Sequence, residues 1–582
     1  MDSLSYLNKY FLRYKKKLAL GVLFILISNI AQVFIPIFLR EGIDGIQQEV
    51  QYDKLFEYGL LIFVAAIIAG VFRFLIRQTI IVVSREIEYD LRQDFWAHIQ
   101  KLSHRYFQNN STGNIMAHAT NDISAVRMYV GPAVMYSIDT VSKFIIIIAI
   151  MITISPLLTF YTLIPLPFLS YFVYQLSKKI HKKFTLIQES FSDLTTRAQE
   201  NFAGIRVIKS YVREDGEIKN FTEQSEDYLN KTMDKVKIQA LFQPILYTIA
   251  GLSVIIVVWA GGGMVIENLL TLGDISAFVI FLGMLIWPMI AFGWILNIIQ
   301  QASASMKRLI KILHEELEIQ DSKATRTIIN SIKGRIEFKN VSFRYKNDLP
   351  DILDNISFSI EPGETIAIIG KTGSGKTTLL NLIPRLFDAT NGDVLIDGYK
   401  IKEIPLKILR QNVGLVPQET FLFSDTLKNN ILYGTKNGND ELVNHVAKIS
   451  QLDKDVEGFP KGYETMLGER GITLSGGQKQ RSCLARALAI DPKILILDDS
   501  FSSVDTNTEE EILKQLKEYM KDRTSIIVSH RISTVKDADK ILVLHNGRIQ
   551  EQGNHDELVS LGGIYADLHF KQLLEEELKE LS

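Results

Sequence analysis

The chain has 582 residues, of which 22% are charged, with a net charge of −2 and a single cysteine, Cys483. This length is too great for one hydrophobic core and indicates two or three domains, and the near-neutral charge gives no indication of a nucleic-acid partner. One cysteine excludes an internal disulfide framework and a cysteine-rich metal site.

The first half of the chain contains six apolar segments that are long enough to cross a bilayer, which needs about 20 residues per helix. Helices are expected because lipid offers no hydrogen-bond partners to exposed backbone groups. We therefore predict an α-helical six-span transmembrane domain over residues 1–320, surrounded by a lipid bilayer. The segments are 18–39, 59–83, 134–154, 157–176, 241–265 and 275–298.

The distribution of charge predicts how these segments are oriented. Lysines are concentrated near the N-terminus and just after the fourth segment, whereas the loop between the first two segments is acidic, with Glu41, Asp44, Glu49, Asp53 and Glu57. Basic loops stay on the cytoplasmic side. Because the number of spans is even, both termini are predicted to be cytoplasmic, in a multi-pass protein of the cytoplasmic membrane.

Two long charged loops, 84–129 and 177–239, have helical patterns with few breakers. The membrane helices are therefore expected to continue into the cytoplasm. The tips of these extensions, 107–113 and 211–216, have the residues of hairpin turns and could touch a soluble domain.

Arg73 and Arg77 lie inside the second apolar segment, one helical turn apart. Intramembrane charges indicate function by default, and a role in a substrate path stays open. The preferred interpretation is that both side chains extend to the inner interface. Trp259, Trp287 and Trp294 are interpreted as interface anchors or packing residues.

Residues 321–333 are polar and irregular and are predicted to be a linker. Residues 334–582 are then predicted to form an α/β domain, because strand patterns alternate with helical ones. The predicted strands are 335–345, 364–369, 393–397, 412–416, 494–499 and 524–529, followed by a hairpin that turns at Asn546-Gly547.

The segment 370–377 matches the phosphate-binding pattern G-x-x-x-x-G-K-[ST], between a predicted strand and a predicted helix. Glycines let backbone N–H groups surround phosphate oxygens at the helix N-terminus. Lys376 can reach the β- and γ-phosphates, and Thr377 can ligate Mg²⁺. A motif this short also fits a glycine-rich turn that binds nothing. The predicted ATP-binding residues are Gly370, Lys371, Thr372, Gly373, Ser374, Gly375, Lys376, Thr377 and Thr378.

Two further segments favour nucleotide binding. The buried-strand pattern 494–498 ends in Asp498, where the Mg²⁺-supporting aspartate of a P-loop ATPase is expected. A second glycine-rich turn opens a helix, with Ser475, Gly476, Gly477 and Gln478. One triphosphate needs only one cradle of this kind, so the second indicates that two chains share each nucleotide.

With these motifs in this order, the chain resembles the ATP-binding cassette (ABC) family, and the resemblance covers nearly its whole length. It implies a half-transporter of the type IV exporter architecture, with six membrane helices fused to one P-loop nucleotide-binding domain. The residues that carry the resemblance are Leu474-Ser475-Gly476-Gly477-Gln478, Gln418, Tyr345, Ser502-Ser503-Val504-Asp505, Ser529-His530, Thr112-Gly113, Asn121-Asp122, Glu200-Asn201 and the exporter-like segment Gly468-Glu469-Arg470-Gly471.

The resemblance also implies roles for individual residues. Tyr345 stacks on adenine, Gln418 senses the γ-phosphate and Mg²⁺, and His530 contacts the γ-phosphate. Mg²⁺ is held by Thr377, Gln418 and Asp498. The turn at Ser475 to Gln478 serves ATP on the opposite subunit, and Asp505 is counted among the nucleotide-binding residues.

The chain departs from the family at Asp499, where the family has a catalytic glutamate. A carboxylate withdrawn by one C–C bond, roughly 1.5 Å, positions the attacking water less well, and errors near 1 Å can lower rates about 10²-fold. One interpretation is that Asp499 still supports hydrolysis with His530, as in a homodimer. The preferred one is that the chain resembles the slow-site subunit of heterodimeric multidrug exporters.

The predicted function is ATP-driven export of a hydrophobic or amphipathic solute (drug, lipid or peptide) by alternating access. The alternative is an ATP-gated channel or regulator with the same ATPase. The six apolar segments disfavour a soluble cassette ATPase of DNA repair or translation, and the fusion of both domains disfavours an importer. Expected partners are a second half-transporter and a small amphipathic substrate, with no nucleic acid.

Overall fold

A computed structural model provides the structure of the chain. It describes residues 2–48, 52–322, 324–326, 328–346, 348–468, 471 and 474–580. Glu49 of the acidic loop and Glu469-Arg470 of the predicted exporter segment lie outside these described residues. The chain forms two compact units. One comprises Met1–Ile99 and Thr112–His314, and the other comprises Gln100–Ser111 and Glu315–Ser582.

The first unit is built from six long helices, which confirms the prediction of six apolar spans. Each helix extends beyond its apolar segment, because the flanking charged residues keep a helical pattern. A short 3₁₀ segment, Asp2–Leu7, and a helix, Asn8–Arg13, precede them. The long helices are α1 (Lys15–Gln47), α2 (Tyr52–Ile99), α3 (Thr112–Ile154), α4 (Pro156–Ala203), α5 (Glu214–Ile266) and α6 (Leu272–Leu313).

Several of these helices contain wider π-helical turns. One lies in α2 at Arg77–Ile81, two lie in α3 at His118–Asp122 and Tyr129–Ala133, and one lies in α5 at Val257–Gly261. Such turns insert a residue into the helix and are frequent at functional sites. The turn in α2 begins at one of the two intramembrane arginines.

Polar contacts hold α6 to its neighbours near both of its ends. At its start, Gly273 N donates to Asp44 Oδ1 of α1 over 2.9 Å, and Arg40 Nε lies 2.9 Å from Asp274 Oδ1. Near its other end, Arg308 pairs with the buried carboxylate of Asp122 in α3. These contacts fix the register of α6 against α1 and α3.

The second unit contains two sheets and confirms the predicted α/β domain. A four-stranded antiparallel sheet has the order β2-β1-β4-β5, and a six-stranded, mainly parallel sheet has the order β10-β9-β3-β8-β7-β6. The sequence did not predict β2 or β5. The strands are β1 (Ile336–Phe343), β2 (Leu353–Ile360), β3 (Thr365–Ile369), β4 (Asn391–Ile396), β5 (Tyr399–Lys400), β6 (Val413–Val416), β7 (Ile494–Asp498), β8 (Thr524–Val528), β9 (Lys540–His545) and β10 (Arg548–Gly553).

Helices pack against the larger sheet. Two of them matter for the site: α7 (Lys376–Leu382) follows β3, and α8 (Gly476–Ala489) precedes β7. The other helices in the described part of this unit are His104–Asn109, Leu406–Gln411, Leu427–Ile431, Asp440–Ile449, Asp453–Val456, Thr506–Met520, Ile532–Val535, His555–Leu561 and Ile564–Glu580.

The parallel pairing places four strand ends at one edge of the larger sheet. Strand β3 pairs with β8, β8 with β7, and β7 with β6, all in parallel. The carboxyl ends of parallel strands are the usual place for ligand sites in α/β domains. The segments that follow β3, β6, β7 and β8 therefore converge.

The short segment between α2 and α3 packs within the second unit. The His104 ring lies edge-on to Phe387, with centroids 5.5 Å apart, and Arg105 Nη1 lies 3.5 Å from Glu318 Oε1. Burial lowers the pKa of His104, so this ring is neutral at physiological pH. The residues just before the predicted tip, 107–113, thus contact the α/β domain.

Candidate nucleotide site

The phosphate-binding loop connects β3 to α7, and its glycines are required by the backbone. Gly375 has φ +101°, and a Cβ there would lie 2.9 Å from Leu353 Cδ2 and 3.0 Å from Ile352 O. At Gly370, a Cβ would lie 2.2 Å from Leu544 O. Side chains therefore fit at neither position, and glycine is required on both sides of the loop before α7 begins.

A cavity of about 300 Å³ opens at the edge of the sheet where the strand ends converge. Among the predicted site residues, it brings together parts of the loop, Gln418 after β6, the acids at the end of β7, and His530 after β8. The residues lining it are Ile352, Thr372, Gly373, Gly375, Lys376, Thr377, Thr378, Gln418, Asp498, Asp499, Val528 and His530.

Lys376 is buried, with 8% of its surface exposed. Its Nζ donates hydrogen bonds to Gly370 O over 2.7 Å and to Lys371 O over 3.1 Å. Burial lowers the pKa of Lys376, while the carboxylates of Asp498 and Asp499 oppose this shift. The lysine is thus held at the loop as a partly desolvated charge, which attracts an anion strongly.

Asp498 is the buried carboxylate at the end of β7. Burial raises the pKa of Asp498, and Asp499 adds to this, while the hydrogen bond from Thr377 and the charges of Lys376 and His530 lower it. The carboxylate therefore carries an unfavourable burial cost, which a cation would relieve.

The donors present fit Mg²⁺. Mg²⁺ prefers oxygen ligands and is usually bound by one or two protein groups together with phosphates and waters. Thr377 and Asp498 supply a hydroxyl and a carboxylate next to each other. No group of three or more His, Cys, Asp or Glu residues suited to a metal ion is found within the described residues.

Asp499 follows β7 in the left-handed backbone region, with φ +47°. Its N–H donates to Val528 O over 2.9 Å, and its Oδ2 accepts from Gln418 Nε2 over 3.4 Å. Aspartate tolerates this backbone region better than most residues. Asp499 thus lines the cavity beside Gln418.

Tyr345 and His530 both lie near the phosphate-binding loop. The Tyr345 hydroxyl and Thr378 Oγ1 are 2.9 Å apart, and the Tyr345 ring packs edge-on against Phe343 and Phe387. His530 is exposed and lines the cavity. Both side chains are positioned around the phosphate-binding loop.

The predicted second cradle does not line this cavity. Ser475 caps α8 in a capping box with Gln478, and Gln480 Nε2 donates to Ser502 Oγ over 2.9 Å. Asp505 caps the helix Thr506–Met520, and the hydrogen bond from Thr508 N lowers the pKa of Asp505. Within this chain, Ser475, Gly476, Gly477, Gln478 and Asp505 therefore stand apart from the phosphate-binding loop.

Two apolar residues that line the cavity, Ile352 and Val528, were not predicted to be site residues. Ile352 precedes β2, which the sequence did not indicate, and it reaches the loop because β2 lies against Gly375. Val528 could have been found, because it is the last apolar residue of the predicted strand 524–529 and directly precedes Ser529-His530.

Comparison with known proteins supports the assignment of both units. Residues 18–289 match the family model described as ABC transporter transmembrane region, and residues 353–502 match the one described as ABC transporter. The chain is 37% identical to a probable multidrug resistance ABC transporter ATP-binding/permease protein, YheI, of Bacillus subtilis (strain 168), over 98% of this chain and 97% of that protein.

Two further similarities span the whole length. The multidrug resistance-like ATP-binding protein MdlA of Escherichia coli (strain K12) is 33% identical, over 99% of this chain and 97% of MdlA. A solved structure of a bacterial Atm1-family ABC exporter with ATP bound superposes with a TM-score of 0.77 at 25% identity, covering 96% of this chain and 99% of that one.

These matches cover the six apolar helices, the phosphate-binding loop and the strand that ends in Asp498. The function implied by them is ATP hydrolysis coupled to transport across a membrane. The chain belongs to the ABC transporter family, as a half-transporter that joins one transmembrane region to one ATP-binding domain.

Proposed function

We propose that the chain exports hydrophobic or amphipathic solutes across the cytoplasmic membrane by ATP-driven alternating access. The observation that carries this proposal is a cavity of about 800 Å³ between α3, α4 and α6. Phe144, Val173, Met289 and Phe292 are among the mainly apolar residues that line it. This size and polarity suit drug-sized apolar ligands, and several relatives carry multidrug-resistance names.

At the nucleotide site, the loop residues and Tyr345 bind ATP. Thr377, Asp498 and Gln418 would hold Mg²⁺, and the ion would supply positive charge to offset that of the phosphates. Asp499 accepts the proton of the attacking water, and His530 contacts the γ-phosphate. The side chain of Asp499 is shorter than that of a glutamate and positions the attacking water less well, so this site hydrolyses ATP slowly.

The second half of each nucleotide site comes from another subunit. Ser475, Gly476, Gly477 and Gln478 of this chain serve ATP bound to the partner's loop, which explains why they stand apart from the loop of their own chain. We favour a heterodimer in which the partner has a glutamate at the position of Asp499. A homodimer would contain two slow sites.

Closure of two ATP-binding domains drives the membrane helices from an inward-open to an outward-open state, and both termini stay cytoplasmic. The segment Gln100–Ser111 supports this coupling, because it connects α2 with α3 and packs within the ATP-binding unit. Each ligand shifts the equilibrium only by its difference in affinity for the two states.

The test is ATP-dependent accumulation of a fluorescent hydrophobic dye in inside-out proteoliposomes that contain the chain and its natural partner. Accumulation against the gradient, lost when both subunits lack the loop lysine (Lys376→Ala in this chain), supports export. ATP-dependent conductance without accumulation would instead identify an ATP-gated channel.

A further inference from the structure

A second cavity in the membrane unit, of about 250 Å³, lies between α2, α3 and α6. Arg73 and Arg77 of α2 line it, together with Tyr136 and Asp139 of α3 and Trp287 of α6. Both arginines are exposed. The cavity thus combines cationic groups with aromatic rings inside a membrane-spanning region.

Arg73 lies deep within the apolar stretch of α2. At 1.5 Å per residue, Arg73 lies roughly 21 Å from Gly59 and about 15 Å from Val83, which are the ends of the apolar stretch. Such a distance from both ends exceeds the length of an arginine side chain. The interpretation that Arg73 extends to the inner interface is therefore disfavoured, and the same argument is weaker for Arg77, about 9 Å from Val83.

The charges around the cavity are not balanced. Asp139 is the acidic residue among those that line it, and Lys143, 7% exposed, already lies 3.9 Å from its Oδ2. Lys143 Nζ also donates to Gln32 Oε1 over 3.2 Å. One carboxylate thus faces three cations, and its nearest partner is the buried lysine.

In the part of the chain that the structure describes, neither Arg73 nor Arg77 has a hydrogen bond or an ion pair. Charged side chains in a membrane are costly and usually face a partner or a path for a charged solute. Guanidinium groups bind phosphate and carboxylate groups through paired hydrogen bonds. An anion between the two arginines would supply the missing charge.

We propose that Arg73 and Arg77 bind the acidic headgroup of an anionic amphiphile, whose apolar part contacts Tyr136 and Trp287. The aromatic lining favours an amphiphile over a free anion, because it offers apolar contact beside the charges. If the amphiphile is a transported substrate, the inference rests on the proposed export function. Binding of the amphiphile to the two arginines does not depend on export.

The test measures equilibrium binding of radiolabelled dodecyl phosphate to the full-length protein with its partner, in nanodiscs of zwitterionic lipid and without ATP. Empty nanodiscs give the background from partitioning. We expect dodecyl phosphate to bind more tightly than dodecyltrimethylammonium. We expect Arg73→Gln or Arg77→Gln to weaken binding about tenfold, and the double variant to weaken it further.

Arg85→Gln is the matched control, because Arg85 is an exposed arginine on the same helix, 3.0 Å from Glu88 and outside the cavity. It is expected to leave the affinity unchanged. The paired substitution Arg73→Lys and Arg77→Lys keeps both charges and should retain most of the binding, which separates loss of charge from misfolding.

Unchanged binding in the double glutamine variant would overturn the proposal, as would equal loss in Arg85→Gln. Displacement of dodecyl phosphate by an equal concentration of inorganic phosphate would assign the cavity to a free anion and overturn the amphiphile. If binding follows the prediction but proteoliposomes accumulate no solute, the export function fails and the site stands. If a neutral dye is exported while the arginine variants bind normally, the site fails alone.

Discussion

Asp499 combines two features that bear on its role: a short carboxylate and a left-handed backbone, with φ +47°. Both set the position of the oxygen that would hold the attacking water. Since rate depends steeply on that position, the proposed role of Asp499 makes the turnover of this chain's site sensitive to the length of this one side chain.

We predict that Asp499→Glu raises the ATPase rate of the chain, purified without a partner, by about tenfold or more. The longer side chain brings the carboxylate nearer to the water, although glutamate tolerates a positive φ less well and the melting temperature should fall slightly. Steady-state phosphate release provides the measurement. Adding Lys376→Ala should abolish the gain, and a rate that stays equal to that of the unsubstituted chain would contradict the prediction.

Asp498 allows a prediction about pH. Burial raises the pKa of Asp498 above its ordinary value of 3.8, so the folded state binds this proton more tightly than the unfolded state does. The ionised carboxylate therefore destabilises the fold at pH values above the raised pKa, and this penalty disappears as the pH falls towards 3.8. Asp498→Asn should thus raise the melting temperature of the nucleotide-free protein at neutral pH, and the gain should shrink on acidification.

Cys483 provides the readout for this effect. It is the single cysteine of the chain and is 3% exposed, in α8, so its thiol becomes accessible when the ATP-binding domain unfolds. Thermal unfolding can be followed with 4,4′-dithiodipyridine, which also reacts at mildly acidic pH. In the same variant, Mg²⁺-dependent ATP binding should be lost. A lower melting temperature at neutral pH would show that the carboxylate is stabilised in the fold.

The loop between β3 and α7 shows how an element positions the site. Gly373 and Gly375 both have positive φ, but a Cβ at Gly373 would meet no atom within 4 Å, whereas one at Gly375 would meet the Ile352 and Leu353 region at about 3 Å. Substituting Gly373 would therefore test backbone strain alone, whereas substituting Gly375 would add a steric clash.

We predict that Gly373→Ala destabilises the nucleotide-free protein by about 1 kcal/mol through backbone strain alone. Gly375→Ala should cost about 1–3 kcal/mol more, because the packing against β2 must also move. The Cys483 reaction gives the melting curves of both variants. The two melting shifts can be compared directly, because the same factor converts each of them into a free energy. Equal shifts in the two variants would show that β2 yields easily at this point.

Several elements could be predicted because their signal is local. Six apolar runs give six helices because length and hydrophobicity decide membrane insertion. Strands β3, β6, β7 and β8 are short, continuous apolar runs, as expected for strands covered on both faces. Strand β2 was not predicted, and its residues Asp354, Asn355 and Ser357 make its sequence resemble a loop.

Other features depend on contacts between distant parts of the chain. The pairing of β3 with β8 joins residues 365–368 to 525–528, and no local pattern carries that information. The same holds for the approach of Ile352 to Gly375, and for the cavity that Arg73 shares with Asp139 and Trp287. The sequence indicated which residues can bind phosphate or carry charge in the membrane. The sheet order and the helix packing determine which of these residues lie next to each other.

At the scale of the whole molecule, the turn at Ser475 and the phosphate-binding loop lie apart within one chain. We propose that they belong to two different nucleotide sites, so each can be tested independently. In the proposed heterodimer, the loop of this chain belongs to the slow site, and its α8 N-terminus belongs to the fast site on the partner. Substitutions in the two places should then have unequal effects on turnover.

We predict that Ser475→Ala lowers the ATPase rate of the complete transporter at least about tenfold, because it removes a hydroxyl donor from the fast site. Lys376→Ala should lower it much less, because the slow site contributes little turnover. Asn554→Ala is the matched control, since Asn554 caps the helix His555–Leu561 in the same kind of capping box but lies away from the proposed site. Phosphate release by transporter purified from the native membrane, with its partner, gives the rates. If Lys376→Ala abolished turnover as completely as Ser475→Ala, the two sites would be equivalent, and a homodimer with a functional Asp499 would replace the heterodimer.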